Sequence, residues 1–198
     1  MGLKSDQKEQ THRAILESAS KVFRKRGIGG ASVADVMAGA RLTVGGFYAH
    51  FDSKAALVDE TLRQMGQRLR ATLFDRIDEK PAADRAIVVL KRYLSAPHRD
   101  LKTEGCPFPA VVGEIGTTAP EHRDALRGEV EALINGLSQQ LPAQTPLPRR
   151  PVAIALIAMM YGGMSLARAL RGLELSDEVI KACRAVGSWV VSPGKEKS

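Results

Sequence analysis

The chain has 198 residues, 44% of them hydrophobic, enough to build the core of one large domain or of a small and a medium one. Its formal net charge is +7, and residues 1–55 carry nine Lys/Arg against five Asp/Glu, so a polyanion such as nucleic acid is the first partner to consider. Two cysteines, Cys106 and Cys183, are too few for a disulfide-stapled secreted scaffold and too far apart for a metal knuckle. With no apolar leader in Met1–Gln10, they point to a reducing cytoplasm, and no metal or cofactor is expected. The apolar run Val152–Ala167 is flanked by Arg149, Arg150, Arg168 and Arg171. It is shorter than the ~20 residues that span a bilayer and reads as a buried helix, so no membrane partner is expected.

In chain order, Ile15, Leu16, Ala19, Val22 and Phe23 have helical spacing and Gly27 supplies a stop, which predicts a first helix over 11–26. Ser32 with Asp35 forms an acidic version of the capping box ahead of a short stripe, Val33, Val36, Met37 and Ala40. After a turn at Ala40–Leu42, Thr43 can cap a third short helix that buries Phe47 and Phe51 one turn apart. Ser53 can then cap a long fourth helix through Leu57, Leu62, Leu69 and Leu73, running to about Glu79 until Pro81 forbids continuation. Beyond it the pattern stays helical over 83–95, 107–117, 120–141, 150–171 and 177–191, with loops at 97–105 and 142–151 and a frayed tail at 193–198. The expected fold is all-α.

Three helices of about sixteen, eight and eight residues, the last two joined by a tight turn, meet the requirements of a helix-turn-helix whose third helix enters a major groove about 12 Å wide. On spacing alone a small bundle with no DNA role fits equally well. The residues Thr43-Val44-Gly45-Gly46-Phe47-Tyr48-Ala49-His50-Phe51, followed by Asp52-Ser53-Lys54, resemble the recognition-helix signature of the TetR family, and the resemblance extends over residues 11–58. It implies a helix-turn-helix domain over 1–52, a helical effector-binding and dimerisation domain over 53–198, and a homodimer on palindromic double-stranded operator DNA. Carried over to this sequence, it puts Phe47 and Phe51 in the core and Thr43, Tyr48, His50 and Lys54 at the phosphate backbone. Two departures matter. Arg41 stands where the family usually has glycine, so either it adopts a positive φ at a cost of about 1 kcal/mol or the turn shifts slightly, and its side chain offers one more phosphate contact. The base-facing positions Val44, Gly45, Gly46 and Ala49 lack the bidentate groups of Arg, Asn or Gln, so direct readout is expected to be thin and DNA shape to carry more of the specificity.

In the second half, a stripe of small residues, Ala155, Ala158, Gly162, Ser165 and Ala169, suits a close helix-helix seam. A second stripe holds Ile154, Ile157, Tyr161 and Met164, and the final helix adds Val179, Ile180, Cys183, Val186 and Val190. Paired across two subunits these helices would make a four-helix dimer interface, and folded within one chain they would make a core. Tyr93, Phe108, Met159, Met160 and Tyr161 are candidate effector-lining residues or plain core, with methionine favouring a hydrophobic ligand slightly. In Gly105-Cys106-Pro107-Phe108, Pro107 suits a first helical position, which would put Cys106 at a helix N-terminus where a thiolate is favoured. With Glu114 downstream, this segment resembles the start of a ligand-domain helix in a TetR subgroup, some of whose members respond to electrophiles or oxidants. The competing reading of Cys106 is a small buried hydrophobe. An enzyme with Cys106 as nucleophile and His98 or His122 as base has no third orienting group and no oxyanion loop, and the basic residues do not follow one long amphipathic helix as a membrane-surface binder would require. The chain is therefore read as a small-molecule-controlled regulator without catalytic residues.

Overall fold

The computed structural model describes residues 2–100, 108–145 and 147–192, and among these residues there are helices and no strand. The chain divides into two compact units, Met1–Gln67 with Ala110–Glu129, and Arg68–Pro109 with Val130–Ser198.

In the first unit, α1 spans Gly2–Arg26, beginning nine residues before the expected start at Thr11. Polar residues extend it because Lys, Gln and Glu are good helix formers and Glu9 pairs with Arg13 one turn on. Thr11 sits inside the helix, its hydroxyl donating to the Gln7 carbonyl at 2.9 Å. α2, Val33–Gly39, is closed by the expected capping box: Asp35 N donates to Ser32 Oγ at 3.0 Å and Ser32 N to Asp35 Oδ2 at 3.2 Å. These Ser32 bonds, helped by Arg26 at 2.7 Å, hold the Asp35 carboxyl below the usual carboxylate range. Ser32→Ala should lower stability by about 1 kcal/mol in a chemical denaturation series, and an unchanged midpoint would assign the helix start to tertiary packing instead.

The third expected helix is a 3-10 segment, Val44–Ala49, and Thr43 makes no side-chain cap bond to it. Gly45 and Gly46 are the physical reason: glycine lowers helix propensity by about 1 kcal/mol per residue, and the shorter 3-10 form tolerates such a stretch. α3, Lys54–Leu73, starts under Ser53, whose Oγ accepts from Ala56 N at 3.0 Å. It ends at Leu73, short of the expected Glu79, because the chain reverses through Arg76 in a left-handed conformation before a 3-10 turn at Ile77–Glu79. Pro81 is therefore not what stops it.

In the second unit α4, Arg85–Tyr93, is followed by α5, Ala96–Asp100, where a loop was expected. Pro97 is compatible with a first helical turn, and Ser95 Oγ accepts from His98 N at 3.2 Å. α6, Phe108–Thr117, belongs from Ala110 onward to the first unit, α7, Arg123–Gln140, is shared between the units with its break after Glu129, and α8, Arg149–Ala169, and α9, Glu174–Val191, belong to the second. α8 starts inside the expected second loop, Pro151 falling in its first turn. It is long and apolar enough to cross a bilayer by length and composition, yet Val152, Leu156, Met160, Met164 and Ala167 along one side are buried, and it packs extensively on α9. It is a core helix. Ile157, Met164 and Ile180 are buried within this unit, so these parts of the apolar stripes are intrachain core.

Candidate nucleic-acid interface

The turn between α2 and the 3-10 segment is a complete Schellman motif. Arg41 N donates to Ala38 O at 3.0 Å and Leu42 N to Met37 O at 2.9 Å, with Arg41 at φ 60° in the position glycine usually takes. Of the two outcomes open at this position, the structure shows the positive φ. Arg41→Gly should raise the unfolding temperature slightly, by up to about 1 kcal/mol of stability, unless the extra flexibility of glycine in the unfolded chain cancels it. A lowered midpoint would mean that the Arg41 side chain contributes more than its backbone costs.

Two contacts hold this turn against α1. Ser18 Oγ donates to the Val36 carbonyl at 2.7 Å, and a Cβ at Gly39 would overlap Ser18 Oγ, so the helices meet closely. Phe47 is fully buried, stacked with Phe51 at 5.7 Å, and Phe51 in turn stacks on His12 at 4.5 Å. The same packing turns the rest of the segment outward. Arg41, Thr43, Val44, Gly45, Gly46, Tyr48 and Ala49 are all exposed, Tyr48 at 71% and Val44 at 47%. Neither central glycine is demanded by the chain itself: a Cβ at Gly45 meets nothing within 4 Å, and one at Gly46 meets only Met37 Cε at 3.8 Å.

His50 and Lys54 sit lower on this surface, half-buried. His50 Nδ1 is shielded without a hydrogen-bond partner, so Nε2 alone is left to reach outward. Burial, then the neighbouring His12 and Lys8, push its imidazole below the ordinary value. Lys54 Nζ donates to the Ile28 carbonyl at 2.8 Å, so any phosphate contact would compete with that bond. His12, absent from the sequence reading, binds Glu60 through Nε2 at 2.6 Å and lies 5.8 Å from the His50 ring. No periodicity signals it, because its partners are dozens of residues away. His122 is buried and bonded through Nδ1 to Asp59 at 2.7 Å, which ties it into the unit rather than offering a base.

Among the proposed effector residues, the structure brings Tyr93, Phe108 and Tyr161 together: Tyr161 lies 5.8 Å from Tyr93 and stacks on Phe108 at 5.9 Å. Met160 is buried, whereas Met159 is half-buried with its Cε close to Gly187 of α9. Cys106 lies outside the described residues. His98, missed by the sequence reading in this role, tilts against Tyr93 at 4.7 Å. Burial, then the Arg168 charge, push its imidazole down to about 4. A histidine lowered from 6.5 contributes stability above its unfolded value and loses it as pH falls toward 4. The unfolding midpoint of the wild type should therefore drop more steeply over that window than that of His98→Phe, and parallel curves would exclude the effect.

Among the described residues no group of His, Cys, Asp and Glu is placed to hold a metal ion. The profile of the bacterial regulatory proteins of the tetR family matches residues 15–61. The repressor DhaR of Mycobacterium sp. (strain GP1) is 28% identical over 59% of this chain, and the chain spans 56% of DhaR. The repressor KstR2 of Mycobacterium tuberculosis is 39% identical over 32% of each chain. Reduced E. coli NemR superposes with a TM-score of 0.78 at 20% identity, covering 94% of this chain and 100% of NemR. The exposed 3-10 segment on its Schellman turn thus lies within the stretch that is similar to the bacterial regulatory proteins of the tetR family, and beyond that stretch the chain shares the fold of NemR.

Proposed function

We propose that this chain is a dimeric repressor that works in the cytoplasm, binds a palindromic duplex operator through Arg41, Thr43, Val44, Gly45, Gly46, Tyr48, Ala49, His50 and Lys54, and is released by a small hydrophobic or electrophilic effector. The observation that carries it is the exposed face of the 3-10 segment. Tyr48 and Val44 project from a rigid, internally bonded support, and two glycines allow a backbone to approach DNA closely. The DhaR and KstR2 repressors support the direction of control.

The dimer reading draws on α8 and α9. Leu175, Val179, Ala182, Val186 and Trp189 follow a four-three spacing along α9, with Val186 55% and Trp189 58% exposed. On α8 the small residues Ala155, Ala158, Gly162 and Ala169 are exposed as well, beside Ile154 and Leu166. Apolar seams of this period are what a four-helix interface buries. In the dimer the two recognition segments would engage half-sites about 34 Å apart. The effector would favour a conformer with the wrong separation, through a coupling of about 1–3 kcal/mol. Equal Tyr48–Tyr48 separations with and without effector would exclude that route.

The direct test is selection of duplexes from a randomised pool, followed by titration of variants. Tyr48→Phe and Lys54→Ala should weaken binding to all duplexes, the lysine change lowering the salt slope by about one unit. Gly46→Ala should abolish specific binding while leaving fold and dimer intact, since the chain has room for the methyl. Wild-type affinity for that variant would sink the close-approach reading. The effector arm rests on Tyr93, Phe108, Met159, Met160, Tyr161 and Cys106. Burial pushes the Cys183 thiol up, so at neutral pH alkylation should proceed at Cys106 first and release the duplex. Equal rates at both cysteines, or full binding after modification, would remove the electrophile from the reading.

A further inference from the structure

His50 closes the 3-10 segment, its backbone N–H donating to the Phe47 carbonyl at 2.9 Å, and the two nitrogens of its ring stand in different surroundings. Nδ1 is shielded from solvent and has no hydrogen-bond partner. A proton there would be a buried donor without an acceptor, a costlier state than a buried lone pair, so the proton of the uncharged ring belongs on Nε2. Charging the ring would put a proton on Nδ1 as well. It would also set that charge 5.8 Å from the ring centre of His12, with exposed Lys8 one turn before His12 on α1. His12 and Lys8 are the groups of α1 that act on His50, and from α3 Glu60 bonds to His12. His12 is itself held twice: its Nε2–H donates to Glu60 Oε1 at 2.6 Å, and its ring stacks on Phe51 at 4.5 Å.

We infer that His50 meets a DNA phosphate as an uncharged Nε2–H donor, and that His12, pinned by Glu60, is the positioning residue that holds the His50 ring in that orientation. The inference rests on the DNA-binding reading above and specifies one contact within it. A protonated histidine would meet phosphate as a cation, displacing a counterion and gaining strength as the pH falls. An uncharged donor does neither. It responds to the direction and distance of the phosphate oxygen, as a backbone N–H does, so this contact fixes the register of the 3-10 segment on the duplex at any salt concentration.

The test uses the full chain and a duplex that the wild type has selected from a random pool. His50→Ala should weaken binding about tenfold and leave the salt slope unchanged, since no charge is removed. The amide nitrogen of glutamine reaches about as far as imidazole Nε2 and that of asparagine about as far as Nδ1, so His50→Gln should recover most of the loss and His50→Asn little of it. Between about pH 6 and pH 8 the affinities of wild type and His50→Gln should run parallel. Long-range 1H–15N spectra should show the Nε2–H form of His50 with and without the duplex. His12→Ala should mix the two tautomers in those spectra and weaken binding at least fivefold, yet cost nothing further in the His50→Ala background, because it acts through that ring. Glu60→Ala, which frees His12, carries the same cycle if His12→Ala does not fold. Failure of the wild type to bind any duplex would sink the DNA-binding reading. Full binding by His50→Ala, equal rescue by asparagine, a salt slope about one unit lower in His50→Gln, or a wild type that gains on His50→Gln as the pH falls would each overturn the uncharged donor and leave DNA binding standing. A loss from His12→Ala that persists without the His50 ring, or unfolding of both His12→Ala and Glu60→Ala, would make His12 a structural brace.

Discussion

Phe47→Ala should destabilise the first unit by about 3–5 kcal/mol, enough to lower its unfolding temperature by at least roughly 6 °C and to abolish DNA binding. The ring is wholly buried between Phe51 and the edge of Tyr48, at 5.7 and 5.2 Å, and it is the one buried side chain of the 3-10 segment. Truncation empties that space, and a two-turn element with two central glycines has little helical propensity to hold itself together without the anchor. Binding should fall further than stability alone requires, because Tyr48 and Val44 are aimed by the same ring. A melting temperature within about 2 °C of wild type would show that the site collapses around the void, since the cost of such truncations depends on that relaxation.

The second large effect belongs to the exposed seam. Val186→Glu, alone or with Trp189→Glu, should turn the proposed dimer into a monomer by weakening association at least ~100-fold, since two-fold symmetry would place each new carboxylate in the interface twice and uncompensated buried charge costs several kcal/mol. Both side chains are more than half exposed in the single chain, so far-UV dichroism and the melting of the protomer should change little. Sedimentation velocity at micromolar concentration reads the outcome, and DNA binding should decline with the dimer. A variant that still sediments as a dimer would move the interface to another face.

Much of the DNA-binding half could be read from residue order, for identifiable reasons. The Ser32–Asp35 capping box, the tight turn at Ala40–Leu42 and the burial of Phe47 and Phe51 are local properties, set by residues within one or two turns of each other. The same logic failed at Thr43, where a cap was expected and a 3-10 segment without one is found, because two glycines downstream change which helix type is cheapest. It failed again at the end of α3, where Arg76 in a left-handed conformation, with no glycine to announce it, turns the chain ahead of Pro81.

Residue order alone carried the helical class, the tight turn after α2 and the burial of Phe47 and Phe51 beyond it, since helix caps, turn chemistry and apolar spacing act over a few residues. Only the tertiary structure decided which apolar stripes are core and which stay exposed, because periodicity gives a helix its faces without saying what covers each one. It alone also decided the partners of Glu114, His12 and His122, which lie 86, 48 and 63 residues away in the chain, and bonds over such separations leave no periodic mark.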